Sequence, residues 1–125
     1  MFKQFEEIEA WKSARELVKV VYALTRQEGF SRDWGLKDQI QRAAVSVGSN
    51  IAEGYGRRGN KEMVQFLWIA KGSASEVQSQ LYNALDLGYI TKEQFDDIYN
   101  ETNFLQVKIY RLIQSYSSDI TRQKI

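Results

Sequence analysis

Three basic side chains stand together in a short glycine-containing segment, and they are the residues of this sequence best suited to bind an anion. Arg57, Arg58 and Lys61 lie within GYGRRGNK, residues 54–61. Guanidinium groups bind phosphate through paired hydrogen bonds, and a lysine binds it as a point charge. We interpret the segment as a tight corner between two helices. The free backbone amides at the start of the second helix add a weak anion site. The alternative is a solvent-exposed turn kept soluble by its charge.

Arg42 is the fourth candidate, because it lies with Arg57 on the polar side of the helix predicted before the corner. We therefore predict nucleic-acid contacts at Arg42, Arg57, Arg58 and Lys61. Another interpretation of Arg42 and Arg57 is a solvated face on which each pairs with an acidic residue three or four positions away. Such pairs contribute only about 0.2–0.5 kcal/mol each.

The residues needed for most catalytic and metal sites are missing. The sequence has no histidine and no cysteine, which removes thiol nucleophiles, zinc ligands, His-dependent triads and Glu-x-x-His metal pairs. Six acidic side chains of the predicted helices do not converge on the predicted core: Glu53, Glu62, Glu76, Asp86, Glu93 and Glu101. We expect a protein that is not an enzyme, with no metal and no cofactor.

Composition indicates long helices in a single domain. The 125 residues are 43% hydrophobic and include no proline, so little interrupts helix formation. Apolar residues recur at spacings of three and four, which predicts helices at about 6–28, 36–57, 61–87 and 91–118. In the fourth helix the predicted core stripe runs from Phe95 to Tyr116. Short connections between them predict an all-α, antiparallel up-down-up-down four-helix bundle over residues 1–125. No apolar run is typical of a signal peptide or a membrane helix, so we expect a cytoplasmic protein without membrane contact.

Local signals mark the ends of these helices. Gly29 and Gly88 suit left-handed C-terminal caps, and TKEQ, residues 91–94, is a capping box at the start of the fourth helix. At the corner, we expect Asn60 to cap the third helix. We also expect three glycines to supply the backbone freedom for the turn: Gly54, Gly56 and Gly59.

A second group of residues predicts self-association. Small residues at spacings of four let another backbone approach a helix, and they form one edge of the second helix: Ala44, Gly48 and Ala52. Trp68 lies off the core stripe of the third helix beside Gly72, and Phe104 lies off the stripe of the fourth. Buried aromatic residues dominate subunit interfaces, so we predict an oligomer interface at these six positions. Trp68 has two other interpretations, a single exposed tryptophan or a platform for a stacked base.

Charge is unevenly distributed although the formal net charge is only +1. Residues 32–75 carry seven basic and four acidic side chains, whereas residues 76–107 carry one basic and six acidic. This polarity suits an anionic partner, and it equally suits contacts between the acidic region of one subunit and the basic region of another.

The run DQIQRAAVSVGSNIAEGYGR, residues 38–57, resembles the 23S rRNA intervening-sequence protein family, as do KEMVQFLWIAKG and ALDLGYI further along. The likeness covers nearly the whole chain. Gly48 is a departure, since family members often have proline there, and we expect a local irregularity in the second helix. The resemblance implies a ring-shaped homopentamer of four-helix bundles, similar in fold to the accessory variability protein of diversity-generating retroelements.

Two hypotheses about function follow. In the first, the protein is a non-catalytic homo-oligomer that associates with RNA or other nucleic acid through its basic corner. In the second, it is a scaffold that binds a protein partner and has no role with nucleic acid. The near-neutral charge favours the second hypothesis, and the resemblance favours the first.

Overall fold

The computed structural model describes residues 2–123, which form four α-helices and no strand. The helices are α1 (Glu9–Thr25), α2 (Trp34–Gly56), α3 (Asn60–Asp86) and α4 (Lys92–Gln123), and one-turn 3-10 helices at Phe5–Glu7 and Phe30–Arg32 precede α1 and α2. The predicted all-helical fold class is confirmed. α1 is shorter than expected at both ends, and α4 continues five residues beyond the predicted end at residue 118.

The helices alternate in direction around a bundle. α1 packs against α2 and α4, and α3 packs against the same two helices. At one end, the Tyr55 hydroxyl near the end of α2 donates to the Phe2 carbonyl before α1 at 2.6 Å. At the other end, the Tyr89 hydroxyl after α3 donates to the Asp33 carboxylate before α2 at 2.9 Å. The start of α1, the end of α2, the start of α3 and the end of α4 therefore share one end of the bundle.

One apolar core runs along the bundle axis, and all four helices contribute to it. Its side chains recur at spacings of three and four, so each helix buries a single stripe. Within the four α-helices, the most completely buried large members are Leu17, Val21, Ile40, Val47, Ile51, Met63, Leu67, Leu81, Leu105 and Ile109. This burial fixes the face that each helix turns outward, and so it decides which polar and aromatic side chains remain on the surface.

The connection between α3 and α4 follows its local sequence signals. Gly88 has a φ of +76°, the left-handed conformation that favours glycine. The amides of Gly88 and Tyr89 donate to the carbonyls of Leu85 and Ala84 at 3.0 and 2.9 Å, which closes a Schellman cap. The amide and side chain of Thr91 exchange hydrogen bonds with Gln94 at 3.0 and 3.1 Å. The predicted glycine cap and capping box are both confirmed.

Three local expectations are wrong. α2 passes through Gly48 without interruption, because this glycine only makes room for Trp11 and Ala14 of α1 and leaves the helix hydrogen bonds intact. Asn60 is the first residue of α3, and the extended residue before it, Gly59, is the N-cap. α1 ends at Thr25, because the next two amides donate to carbonyls three residues back, which tightens the chain into a turn.

α2 and α3 approach each other closely at Gly54, two residues before α2 ends. A Cβ atom at this position would lie 2.8 Å from the Cβ of Phe66 and 3.4 Å from the Cα of Met63. Both atoms belong to or adjoin the backbone of α3, so they cannot move aside as a flexible side chain does. Gly54 therefore sets how tightly the hairpin of α2 and α3 closes.

Candidate nucleic-acid interface

The corner between α2 and α3 consists of three residues, and its sharpest backbone turn falls on an arginine. Arg58 has a φ of +63° and is the non-glycine residue with positive φ among residues 2–123. Gly54, Gly56 and Gly59 have no positive φ, so the prediction that they supply the backbone freedom of the turn is wrong. A left-handed conformation costs a non-glycine residue about 1–3 kcal/mol, and such residues cluster at functional sites.

Three of the four candidate cations meet at this corner, and Arg42 does not. Arg42 precedes Arg57 by fifteen residues of α2, which corresponds to about 22 Å along a helix. Its Nε donates to the Asp38 carboxylate at 2.8 Å. Arg57 donates to Glu53 at 3.0 Å in the same way. The structure therefore brings Arg57, Arg58 and Lys61 together and leaves Arg42 alone on the side of the bundle.

Arg58 and Lys61 are the cations of the corner without an ion pair in the described part of the chain. Arg57 remains about half exposed, and its guanidinium carbon lies 5.2 Å from the centre of the Phe66 ring. Exposed ion pairs such as Arg57 with Glu53 are worth about 0–1 kcal/mol, so they do not prevent a phosphate from binding. We name Arg57, Arg58 and Lys61 the basic corner.

The start of α3 already has a negative charge beside it. The carboxylate of Glu62, in the first turn, folds back towards Gly59, where an added Cβ would lie 2.1 Å from Oε1. The helix dipole favours a carboxylate at this position. A phosphate at the first amides of α3 would compete with Glu62. The side chains of the basic corner are therefore better placed to bind an anion than the helix amides are.

A cavity of about 300 Å³ opens next to the basic corner. We name it the corner cavity, and its lining includes Phe2, Tyr55, Arg58, Asn60, Tyr116 and Asp119. Burial, with smaller contributions from Tyr55 and Asp119, raises the pKa of the Tyr116 hydroxyl, so it stays protonated. Sequence reasoning assigned Tyr116 to the core stripe and missed this cavity. The signal that it lies at the edge of the core is its position one turn before the polar end of α4.

The family model described as 23S rRNA-intervening sequence protein matches residues 6–111. The chain belongs to this family. Among solved structures, it is similar to a protein of unknown function from the S23 ribosomal protein family of Bacteroides thetaiotaomicron VPI-5482. The two are 24% identical, the match covers 84% of this chain and 95% of that one, and the TM-score is 0.76. At that identity the similarity shows a shared fold. No curated protein sequence matches the chain.

In this member of the 23S rRNA-intervening sequence protein family, large apolar side chains are exposed along α3 and α4. Trp68 is 48% exposed and Phe104 is 68% exposed. The Trp68 ring contacts Tyr110 edge to face at a centroid distance of 6.1 Å, and Val107 lies beside them in the same groove. Gly72, one turn from Trp68, has no atom within 4 Å of an added Cβ. We name Trp68, Val107 and Tyr110 the α3–α4 surface. Phe104 lies on another side of α4, where it lines a cavity between α1 and α4.

The small-residue edge of α2 packs mainly within the chain. Ala44 is completely buried in the chain's own core, so it is not accessible to a second copy, and the prediction that it lies at an interface needs this correction. A Cβ at Gly48 would lie 3.5 Å from the Cβ of Ala14, which shows that the edge admits α1. Gly48 and Ala52 also line an apolar groove between α1 and α2, together with Val45 and Trp11.

Acidic side chains line a separate cavity of about 390 Å³ between α1 and α4. The Oε2 atom of Glu101 is buried there without a hydrogen-bond partner in the described part of the chain. Burial, and after it repulsion by Glu16, raise the pKa of the Glu101 carboxyl.

Residues 2–123 contain no cluster of acidic side chains placed to hold a metal ion. Among the helices of the described residues, none is both long enough and apolar enough to cross a membrane.

Proposed function

We propose that this family member is a non-catalytic, cytoplasmic homo-oligomer that associates with RNA through its basic corner. The observation that carries the proposal is the pair Arg58 and Lys61, two cations that form no ion pair within residues 2–123 and lie at a strained turn. Most of the affinity of proteins for nucleic acid comes from neutralising phosphates with such side chains. The name of the family, which refers to sequences that interrupt 23S rRNA, makes a structured RNA the first ligand to test.

Oligomerisation compensates for the small number of cations in one chain. A single basic corner offers about three phosphate contacts, and the formal net charge of the chain is only +1. A ring-shaped homopentamer, which the family resemblance implies, repeats the corner five times around one axis. Binding sites linked in this way reach avidities about 10²–10⁴-fold above that of one site when the ligand spans them.

The contact between copies is proposed to join the α3–α4 surface of one chain to the α1–α2 groove of the next. These two apolar regions lie on opposite sides of the bundle, because α1 and α2 are neighbours and so are α3 and α4. A contact between two different surfaces is heterologous, and it generates a closed ring when the rotation between copies permits. Trp68 fills the groove bordered by Gly48 and Ala52 in this arrangement.

Fluorescence anisotropy with a labelled 23S rRNA hairpin tests the RNA association. The Arg58→Ala/Lys61→Ala variant should bind more weakly, and the slope of log K against log salt should fall by about 2 in magnitude, one for each lost phosphate contact. The matched control is Arg42→Ala, which removes an arginine about 22 Å away along α2 and should change affinity little. The proposal would be contradicted if the protein did not bind RNA at low salt, or if both variants lost the same amount of affinity for RNA.

Light scattering coupled to size exclusion tests the interface. Trp68→Ala should shift the protein to smaller species, because it removes a large apolar side chain from the proposed contact. Trp34→Ala is the control, since Trp34 is 73% exposed but lies at the start of α2, away from both surfaces. Assemblies of unchanged mass in Trp68→Ala would exclude the α3–α4 surface as the contact.

The second candidate function is a scaffold that binds a protein partner and has no role with nucleic acid. The extent of the α3–α4 surface favours it, because apolar patches of this kind mark protein–protein contacts. An oligomer that is indifferent to RNA at low salt, together with a monodisperse mass that survives Trp68→Ala, would favour this function. In that case the surface is free to bind another protein.

A further inference from the structure

The corner cavity brings together chemical groups of three kinds within about 300 Å³. Tyr55, Tyr116 and Phe2 supply aromatic and apolar surface, Asp119 and Asn60 supply hydrogen-bonding groups, and Arg58 supplies a positive charge. A volume of this size lies at the lower end of the range for small-molecule sites, about 300–1,000 Å³. The ligand that suits it is small, flat, able to form hydrogen bonds at its edge, and attached to an anion.

We propose that the corner cavity binds one unpaired nucleotide of an RNA strand, with the base between the tyrosines and its phosphate at Arg58 and Lys61. This inference rests on the proposed function, since it names the part of the RNA that the basic corner recognises. Unpaired bases of RNA are commonly bound by stacking on aromatic side chains and by hydrogen bonds to their edges. A paired base is covered by its partner and by its neighbours in the stack, so it cannot enter a cavity of this size.

The hydrogen-bonding groups of the cavity are in the states that this role requires. The Tyr55 hydroxyl is engaged with the Phe2 carbonyl at 2.6 Å, which holds the wall formed by the first residues. The Tyr116 hydroxyl is protonated at neutral pH, as a tyrosine ordinarily is, and burial raises its pKa further, so it is able to donate. Asp119 is paired with Arg122, and its carboxylate oxygens can accept from amino or imino groups of a base. The cavity thus offers both donors and acceptors to the edge of a base.

The strained backbone of Arg58 is consistent with this site. Position C′ after a helix usually holds glycine, because a left-handed residue has no steric cost without a Cβ. Here the residue is an arginine that lines the cavity, whereas the adjacent glycines have ordinary φ values. An arginine retained in a strained conformation at the mouth of a cavity points to a use for its guanidinium.

The test compares three ligands by anisotropy and competition: a 12-nucleotide single-stranded RNA, the fully paired duplex of the same sequence, and free nucleoside monophosphates. The single strand should bind more tightly than the duplex, although the duplex has more phosphates. In Tyr116→Leu the single strand should bind about 5- to 150-fold more weakly, which corresponds to the loss of one aromatic stacking partner. Tyr116→Phe keeps the ring and should retain most of the affinity, and Tyr22→Leu on the surface of α1 is the matched control.

The outcomes separate this inference from the proposed function. Equal or tighter binding of the duplex by the native protein would overturn the unpaired-nucleotide site and leave RNA association in place, and this comparison needs no variant to fold. Equal losses in Tyr116→Leu and Tyr22→Leu would also overturn it. Direct binding of a nucleoside monophosphate, measured by calorimetry, without binding of either RNA would support a nucleotide site and contradict the proposed function. Absence of binding to all three ligands would overturn both.

Discussion

Replacement of Gly54 by alanine should destabilise the protein, although alanine is ordinarily the better residue in a helix. The added Cβ would lie 2.8 Å from the Cβ of Phe66 and 3.4 Å from the Cα of Met63, so α2 and α3 must move apart. Overpacking of this kind costs about 1–3 kcal/mol, and the gain in helix propensity returns about 0.5–1 kcal/mol. The expected net loss is about 1 kcal/mol, which lowers the Tm of a domain of this size by about 4 °C.

The matched control is Gly56→Ala, two residues further along the same helix. Gly56 has no atom within 4 Å of an added Cβ and no positive φ, so alanine should stabilise there by about 0.4–1 kcal/mol. Thermal unfolding by circular dichroism, at one protein concentration for all variants, measures both changes. Opposite shifts in Tm are expected. A Gly54→Ala protein as stable as Gly56→Ala would refute the reasoning that Gly54 sets the spacing between α2 and α3.

Two further substitutions test charged residues that the fold holds unfavourably. Arg58→Gly should raise the Tm, because it relieves about 1 kcal/mol of left-handed strain, and it should weaken RNA binding at the same time. A Tm and an RNA affinity that both rise, or that both fall, would contradict this. Burial and Glu16 raise the pKa of Glu101, so its contribution to stability is present at acidic pH and is lost as pH rises through that pKa. Glu101→Gln should therefore exceed the native protein in Tm at pH 7, with the difference closing towards pH 4.

The helices could be predicted from the sequence because their signals are local. The cap at Gly88 and the capping box at Thr91 each depend on residues within one turn, and both occur as expected. The turn at the α2–α3 corner could not be predicted in this way. The sequence predicts that glycines supply the backbone freedom of the turn, but the positive φ falls on Arg58. Gly54 has a different role, because it lies inside α2 where the helix packs closely against Phe66.

The candidate site was predicted in part for the same reason. Arg57, Arg58 and Lys61 are neighbours in the sequence, so their proximity needed no knowledge of the fold. Arg42 was grouped with them because it shares a helix face with Arg57, but a face extends along the whole helix and separates the two by about 22 Å. Tyr116 was assigned to the core by its spacing, since periodicity gives a direction around a helix and does not show where the bundle ends.

The spacing of charges along the chain says more about anion binding here than their sum does. Every ion pair among residues 2–123 joins side chains three or four positions apart on one stretch of chain. Arg42 and Arg57 each follow an acidic residue by four positions and are paired with it. Lys61 has no acidic residue three or four positions away on either side. Glu62 lies four positions after Arg58, but Arg58 is outside α3 in a left-handed conformation and the Glu62 carboxylate folds towards Gly59, so no ion pair joins them among residues 2–123. The net charge of +1 does not show the difference between paired and unpaired cations. A phosphate that reaches the basic corner contacts Arg58 and Lys61, which no acidic side chain within residues 2–123 pairs with.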